Sequence, residues 1–183
     1  MASTWGLASV PSCDTAGRSG SVILVELSVF DEVAEYIRAL LPTEYDDARI
    51  RAHRRGVKIW FGEEKAAKEH YEAQSLARRH VDGEEGHAVE VGFHSEYSKQ
   101  DQNQAVLDAL VKVEKKWRQQ LGPEAEAGVF FGAANWTRVS EAWIEPDMDD
   151  PDFPFEVASR TVCLLYTSPS PRDATLSRMP SSA

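Results

Sequence analysis

The sequence predicts an α+β domain: a mainly antiparallel sheet, built as a three-stranded meander plus two further strands, with helices packed on one face. Three observations carry that reading. Two amphipathic stretches with helix start and stop signals lie on either side of a block of strand-like runs. That block alternates apolar and polar residues and is punctuated by glycine turns. Strands and helices do not alternate one by one, as a parallel sheet would require. At 183 residues the chain fits one domain with a modest core. A mean hydropathy of −0.42 and 27% charged residues place it among ordinary folded proteins rather than disordered or membrane chains. No run approaches the roughly 18 apolar residues of a membrane span. With 30 acidic against 20 basic residues, net charge −10, its surface as a whole disfavours nucleic acid.

The first helix starts at Ser28. Phe30, Val33, Ala34, Ile37, Leu40 and Leu41 form one stripe, and Asp31, Glu32, Glu35 and Arg38 the other. Ser28 with Asp31 three residues on reads as a capping box, and Pro42 stops the helix. Before it, 22–27 is a candidate short strand. Three strand-like runs follow, at Ile50 to Phe61 around Gly56, at Glu69 to Arg79 and at His87 to Glu96. The turns between them are Gly62-Glu63-Glu64 and Asp82-Gly83 to Gly86. In the third run His87, Val89, Val91, Phe93 and Ser95 share one face, and Ala88, Glu90, Gly92, His94 and Glu96 the other. One face is expected to be core and the other wet or functional.

A second helix is expected from Ser98, again with a capping-box aspartate at Asp101, to Gly122-Pro123. Val106, Leu110, Val113, Trp117 and Leu121 make its apolar seam, and Glu114 with Arg118 an i,i+4 pair. Strands at Gly128 to Phe131 and Thr137 to Ile144 come next. The acidic loop Glu145 to Asp152 then leads into a last helix near Pro154.

Both ends differ from this body. Residues 1–21 are Ser, Gly, Thr and Ala with a lone Trp5, and read as a disordered leader or a miscalled start. Pro11 and Asp14 interrupt any apolar stretch and no basic residue precedes Arg18, so a secretory signal is not expected and the cytoplasm is. Residues 163–183, CLLYTSPSPRDATLSRMPSSA, show no period related to what precedes them. They resemble the translated end sequence of a library-preparation transposase and its adapter. CLLYTS, PSPRD and SRMPSSA fall on the fixed parts, and Ala174, Thr175 and part of Leu176 on a sample index. The resemblance implies a native domain at 22–162, cut in its last helix, followed by an artefact tail. Cys13 and Cys163 lie in the two doubtful ends, so no disulfide or cysteine metal site is expected.

The strongest candidate site lies on the polar strand faces. Glu90, His94 and Glu96 alternate on the third run, and His70, Glu72 and Gln74 alternate on the second. If the register lets the two faces coincide, imidazoles and carboxylates converge within metal-binding or acid–base reach. A slip of one residue would dissolve the constellation, leaving a solvated sheet face. The basic run Arg49, Arg51, Arg54, Arg55 and Lys58, with His53 inside it, can contact phosphate or an acidic partner, and is the one route to nucleic acid. Its plainer reading is an edge strand protected by cations. Glu145, Asp147, Asp149, Asp150 and Asp152 lack the glycine and terminal glutamate of a calcium loop, and suit helix capping instead. No phosphate loop, nucleophile elbow or Cys-His arrangement is present.

In order, helix, three strands, helix and strand resemble the core of the restriction-endonuclease-like nuclease fold. That family holds a divalent metal with an acidic residue and an E-x-K set, and Glu72 and Glu90 correspond in position to the two acids. The chain departs from the pattern at Gly92, which stands where the family keeps its lysine. Glu63-Glu64-Lys65 spells E-x-K, with Asp46 and Asp47 upstream, but in a predicted turn. Stretches such as HAVEVGFHSEY and WRQQLGPEAEAGVFFG resemble uncharacterised proteins of high-GC bacteria, which implies no activity. The expected function is a non-catalytic binding or interaction module. The alternative is a metal-dependent hydrolase or degenerate nuclease using Glu72, Glu90 and His94, and only under it is a divalent metal expected, since no motif indicates a cofactor. Substrate, partner and oligomeric state stay open.

Overall fold

A computed structural model describes residues 28–62 and 68–167. The N-terminal leader, the candidate strand at 22–27 and the Glu63-Glu64-Lys65 triplet lie outside the described residues, as does everything after Thr167. The elements are α1 (Val29–Leu40), β1 (Arg49–His53), β2 (Gly56–Trp60), β3 (Glu69–Ala77), β4 (His87–Ser95), α2 (Gln100–Lys112), α3 (Glu114–Leu121), β5 (Glu126–Phe130), β6 (Ala133–Ile144) and α4 (Phe153–Thr167). The six strands form one antiparallel sheet in the order β1-β2-β3-β4-β6-β5. The α+β class and antiparallel sheet are as expected, with six strands in place of five. The run from Ile50 to Phe61 is two strands, because Arg54-Arg55 makes a tight turn and His53 pairs with Gly56. The element order is thus helix, four strands, helices, and not the three-strand order that carried the nuclease resemblance.

α1 opens with the expected capping box, Ser28 and Asp31 each taking the other's backbone N–H. Its stripe of Phe30, Val33, Ala34 and Ile37 is buried. The second predicted helix is broken at Val113, whose φ of −110° and ψ of 19° leave the helical region. The break is stabilised from within: Trp117 Nε1 donates to the Leu110 carbonyl at 2.9 Å, so the indole takes an acceptor that a continuous helix would use. The Ser98 capping box does not form, and Lys99 stands at the N-cap without a side-chain bond. α4 continues past Val162 through Cys163 to Thr167, with Leu164 and Leu165 buried and Tyr166 edge-on to Tyr45 at 5.6 Å. Residues 163–167 are therefore helical, because Thr161, Leu164 and Leu165 extend the spacing that Val157 and Ala158 begin. Cys163 forms no disulfide, and among the described residues no helix is long and apolar enough to cross a membrane.

The core lies between the helices and one sheet face: Val57 and Ile59 of β2, Tyr71 and Ala73 of β3, Val89, Val91 and Phe93 of β4, and Val139 of β6. α2 is tied to the same face through Asn103, whose Oδ1 accepts from Ser95 Oγ at 2.9 Å and whose carbonyl accepts from Thr137 Oγ1 at 3.1 Å. The opposite face carries the alternate residues. The alternation predicts a wet or functional face, and at its centre His70, Glu72, Glu90, His94 and Ser140 are buried.

Candidate metal centre

The register decides which polar residues meet. His70 lies opposite His94, Glu72 opposite Gly92, and Gln74 opposite Glu90. On the flanks, Lys58 lies opposite Glu72 and Arg51 opposite Lys58. On β6, Arg138 lies opposite His94 and Ser140 opposite Gly92. The two alternating triplets of β3 and β4 therefore coincide on one face, as the sequence required.

Glu72 is the hub. Its Oε2 lies 3.3 Å from His70 Nε2, 3.3 Å from His94 Nδ1 and 3.2 Å from Lys58 Nζ, and its Oε1 lies 3.4 Å from His53 Nε2. Glu96 completes the group, its Oε1 3.6 Å from His70 Nε2. One ligand atom from each of His70, Glu72, His94 and Glu96 falls within 4.8 Å of all the others. His70, Glu72 and His94 are buried, and Glu96 sits at the rim. On its far side His94 presents Nε2 to Glu90 Oε1 at 3.2 Å, and Glu90 Oε2 accepts from Gln74 Nε2 at 2.9 Å. Phe130 lies edge-on to His94 at 4.8 Å between ring centres, delivered by the β-bulge between Val129 and Phe130.

Gly92 makes room for this. The contact between Glu90 and His94 passes over residue 92, and a Cβ there would come 2.4 Å from Ser140 Cβ and 2.9 Å from the Val139 carbonyl. The position that lacks the nuclease lysine is thus a required gap in the face. An ammonium does reach Glu72, but from the neighbouring strand as Lys58.

Electrostatics matches the geometry. Burial alone would push the Glu72 carboxyl up, but the short contacts to His70 and His94 and the charges of His94 and Lys58 outweigh it and hold it well below the carboxylate range. For Glu90 burial is likewise overcome by the charge of His94, with Ser140 and Gln74 adding bonds. For His94 burial favours the neutral ring, yet the carboxylates of Glu90 and Glu72 raise it to about 9. Without a metal, His94 is an imidazolium between two buried carboxylates. It is fully buried, and neither ring nitrogen has a partner aligned as a hydrogen bond, despite the short contacts to both carboxylates.

Of the predicted residues, His70, Glu72, His94 and Glu96 come together, and Glu90 and Gln74 support them from behind. Arg51 lies on the same cross-strand row but at the sheet edge, and Arg54 and Arg55 are in the β1–β2 turn, all three exposed and outside the cluster. Lys58, His53 and Phe130 were not singled out for this site. The hairpin at Arg54-Arg55 is the missing signal, because it makes β2 a strand of its own, and the pairing of β2 with β3 then sets Lys58 opposite Glu72. No protein-family model, curated protein or solved structure matches the chain.

Proposed function

We propose that the protein is a binding domain whose ligand is one divalent transition-metal ion, held on the polar sheet face by His70, Glu72, His94 and Glu96. The observation that carries this is the spacing of the donor atoms. Ligands bonded at about 2.0–2.1 Å in a tetrahedron stand about 3.3–3.4 Å apart. The Glu72 contacts to His70 and His94 are 3.3 Å each, and His70 to Glu96 is 3.6 Å. Two imidazoles with two carboxylates suit zinc, manganese or iron better than calcium or magnesium, which favour all-oxygen sites. The rear contact of His94 with Glu90 supplies what a ligating histidine needs, a carboxylate to receive its other N–H and fix the ring.

Four protein ligands close a tetrahedral site, which favours binding over chemistry. A hydrolytic role is favoured by one feature, that Glu96 alone of the four is not buried, so that water can take its place. Thermal melts with zinc, manganese and magnesium test the proposal. At a hundred times Kd a metal adds about 2.7 kcal/mol, hence a Tm rise of about 5–10 °C for a domain of this size. The rise is expected with zinc or manganese and is expected to vanish in His70→Ala. No shift with any of the three metals refutes the proposal. Turnover of bis(p-nitrophenyl) phosphate that depends on the metal and disappears in Glu72→Gln supports the hydrolytic reading.

A further inference from the structure

Three of the four donors of the proposed metal site already share a cation. Lys58 Nζ lies 3.2 Å from Glu72 Oε2, 3.2 Å from His70 Nε2 and 3.9 Å from Glu96 Oε1. Its position is set by pairing, since β2 places Lys58 directly opposite Glu72. Glu72 Oε2 and Glu96 Oε1 offer lone pairs to that point and His70 Nε2 faces it, which is the surrounding that both an ammonium and a metal ion take. A metal bonded at about 2.0–2.2 Å to these atoms would take the lone pairs that Nζ now faces. The same lone pairs cannot serve both cations, and like charge repels the ammonium from the metal. We infer that Lys58 is an intramolecular competitor for the metal: its ammonium fills the cation position of the metal-free site and withdraws when a metal ion enters.

This inference rests on the metal reading. Two features make the exchange workable. The Lys58 side chain is 35% exposed, so its flexible stem has a path to solvent, where an ammonium is well hydrated. Glu72 keeps a second partner during the exchange, because His53 holds Oε1 while Lys58 and the metal contend for Oε2. The consequence separates this protein from small domains that unfold without their metal. The internal ammonium compensates Glu72 and Glu96 in the empty state, so the fold does not depend on metal. Affinity is lowered in return, because each ion bound must displace an ion pair.

Calorimetric zinc titrations of the wild type, Lys58→Met and Lys58→Arg test this. Lys58→Met is expected to bind about tenfold tighter or more, and Lys58→Arg, which keeps a cation at the site, no tighter than wild type. A second measurement on the wild type covers the case in which Lys58→Met does not fold. With lysine labelled at 13Cε, the Lys58 signal is expected to move to the position of solvent-exposed lysines as one equivalent of zinc is added. Zinc binding with an unmoved Lys58 signal and equal affinities overturns the inference and leaves the metal site standing. No zinc binding by the wild type or either variant overturns both.

Discussion

Glu90→Gln in metal-free, chelator-treated protein isolates the energetic centre of the site. Glu90 and His94 are both fully buried, 3.2 Å apart, and Glu90 is also the acceptor for Gln74 at 2.9 Å. The substitution keeps the shape and removes the charge, leaving the His94 imidazolium with Glu72 alone. Breaking a buried pair from one side costs about 3–5 kcal/mol. An independent route gives a similar figure: raising His94 from 6.5 to about 9 corresponds to about 3 kcal/mol of folding free energy. The sign follows from the direction of that rise. Stabilisation from His94 is fully present below about 6.5 and is lost as pH rises through about 9. Glu72 and Glu90 are held down, so their contribution is present above about 4.5 and is lost as the pH falls through their lowered values. The metal-free wild type should therefore weaken steadily between pH 6.5 and 9, and Glu90→Gln should be weaker at pH 6 and flatter above it. Urea denaturation at both ends of that range measures the difference. A loss below about 1 kcal/mol at pH 6, or an alkaline decline as steep as that of the wild type, refutes the pairing.

Two further substitutions probe what positions the site. Gly92→Ala places a Cβ 2.4 Å from Ser140 Cβ and 2.9 Å from the Val139 carbonyl, and should cost about 1–3 kcal/mol in a denaturant melt. An unchanged midpoint would show that the polar face does not need the gap. Leu164→Ala removes a fully buried side chain from the last turns of α4 and should cost about 2–5 kcal/mol. A loss under about 1 kcal/mol would place the helix beyond Val162 outside the core.

Legibility differed by kind of signal. α1 was readable because its stripe, capping box and terminating proline agree with one another. The alternations state which residues of each run share a face, but the register that sets His70 opposite His94 is a long-range property, so the sequence states their convergence only as a condition. The hairpin at Arg54-Arg55 is hidden because arginine is no turn residue and Gly56 follows the turn instead of occupying it. Hidden with it is β2 as a separate strand, and so the pairing of Lys58 with Glu72. The break at Val113 is hidden for another reason: Leu110 and Trp117 keep helical spacing across it, while the non-helical backbone of Val113 and the indole hydrogen bond leave no mark in that spacing. Leu164 and Leu165 lie in a stretch whose likeness to an adapter says nothing about packing, and apolar side chains at helical spacing fill a core whatever their origin.

The cost of the polar face is itself an argument for a ligand. A sheet with one helix-covered face needs nothing charged at the centre of the other, and replacing a buried ion pair by apolar residues of similar volume is often neutral or stabilising. Here Glu72, Glu90 and His94 are buried together, with Arg138 stacked on Phe131 at 3.8 Å beside them. If stability were the purpose, leucine or valine at 72 and 94 would serve, as Tyr71, Ala73 and Phe93 do on the opposite face. The arrangement also spends a lysine, a glutamine and a serine on compensating the carboxylates, each placed by register on a different strand. A set of donors of which three pairs stand 3.3–3.6 Å apart, backed by a carboxylate and stoppered by an ammonium, makes sense as a site kept ready for a cation of higher charge.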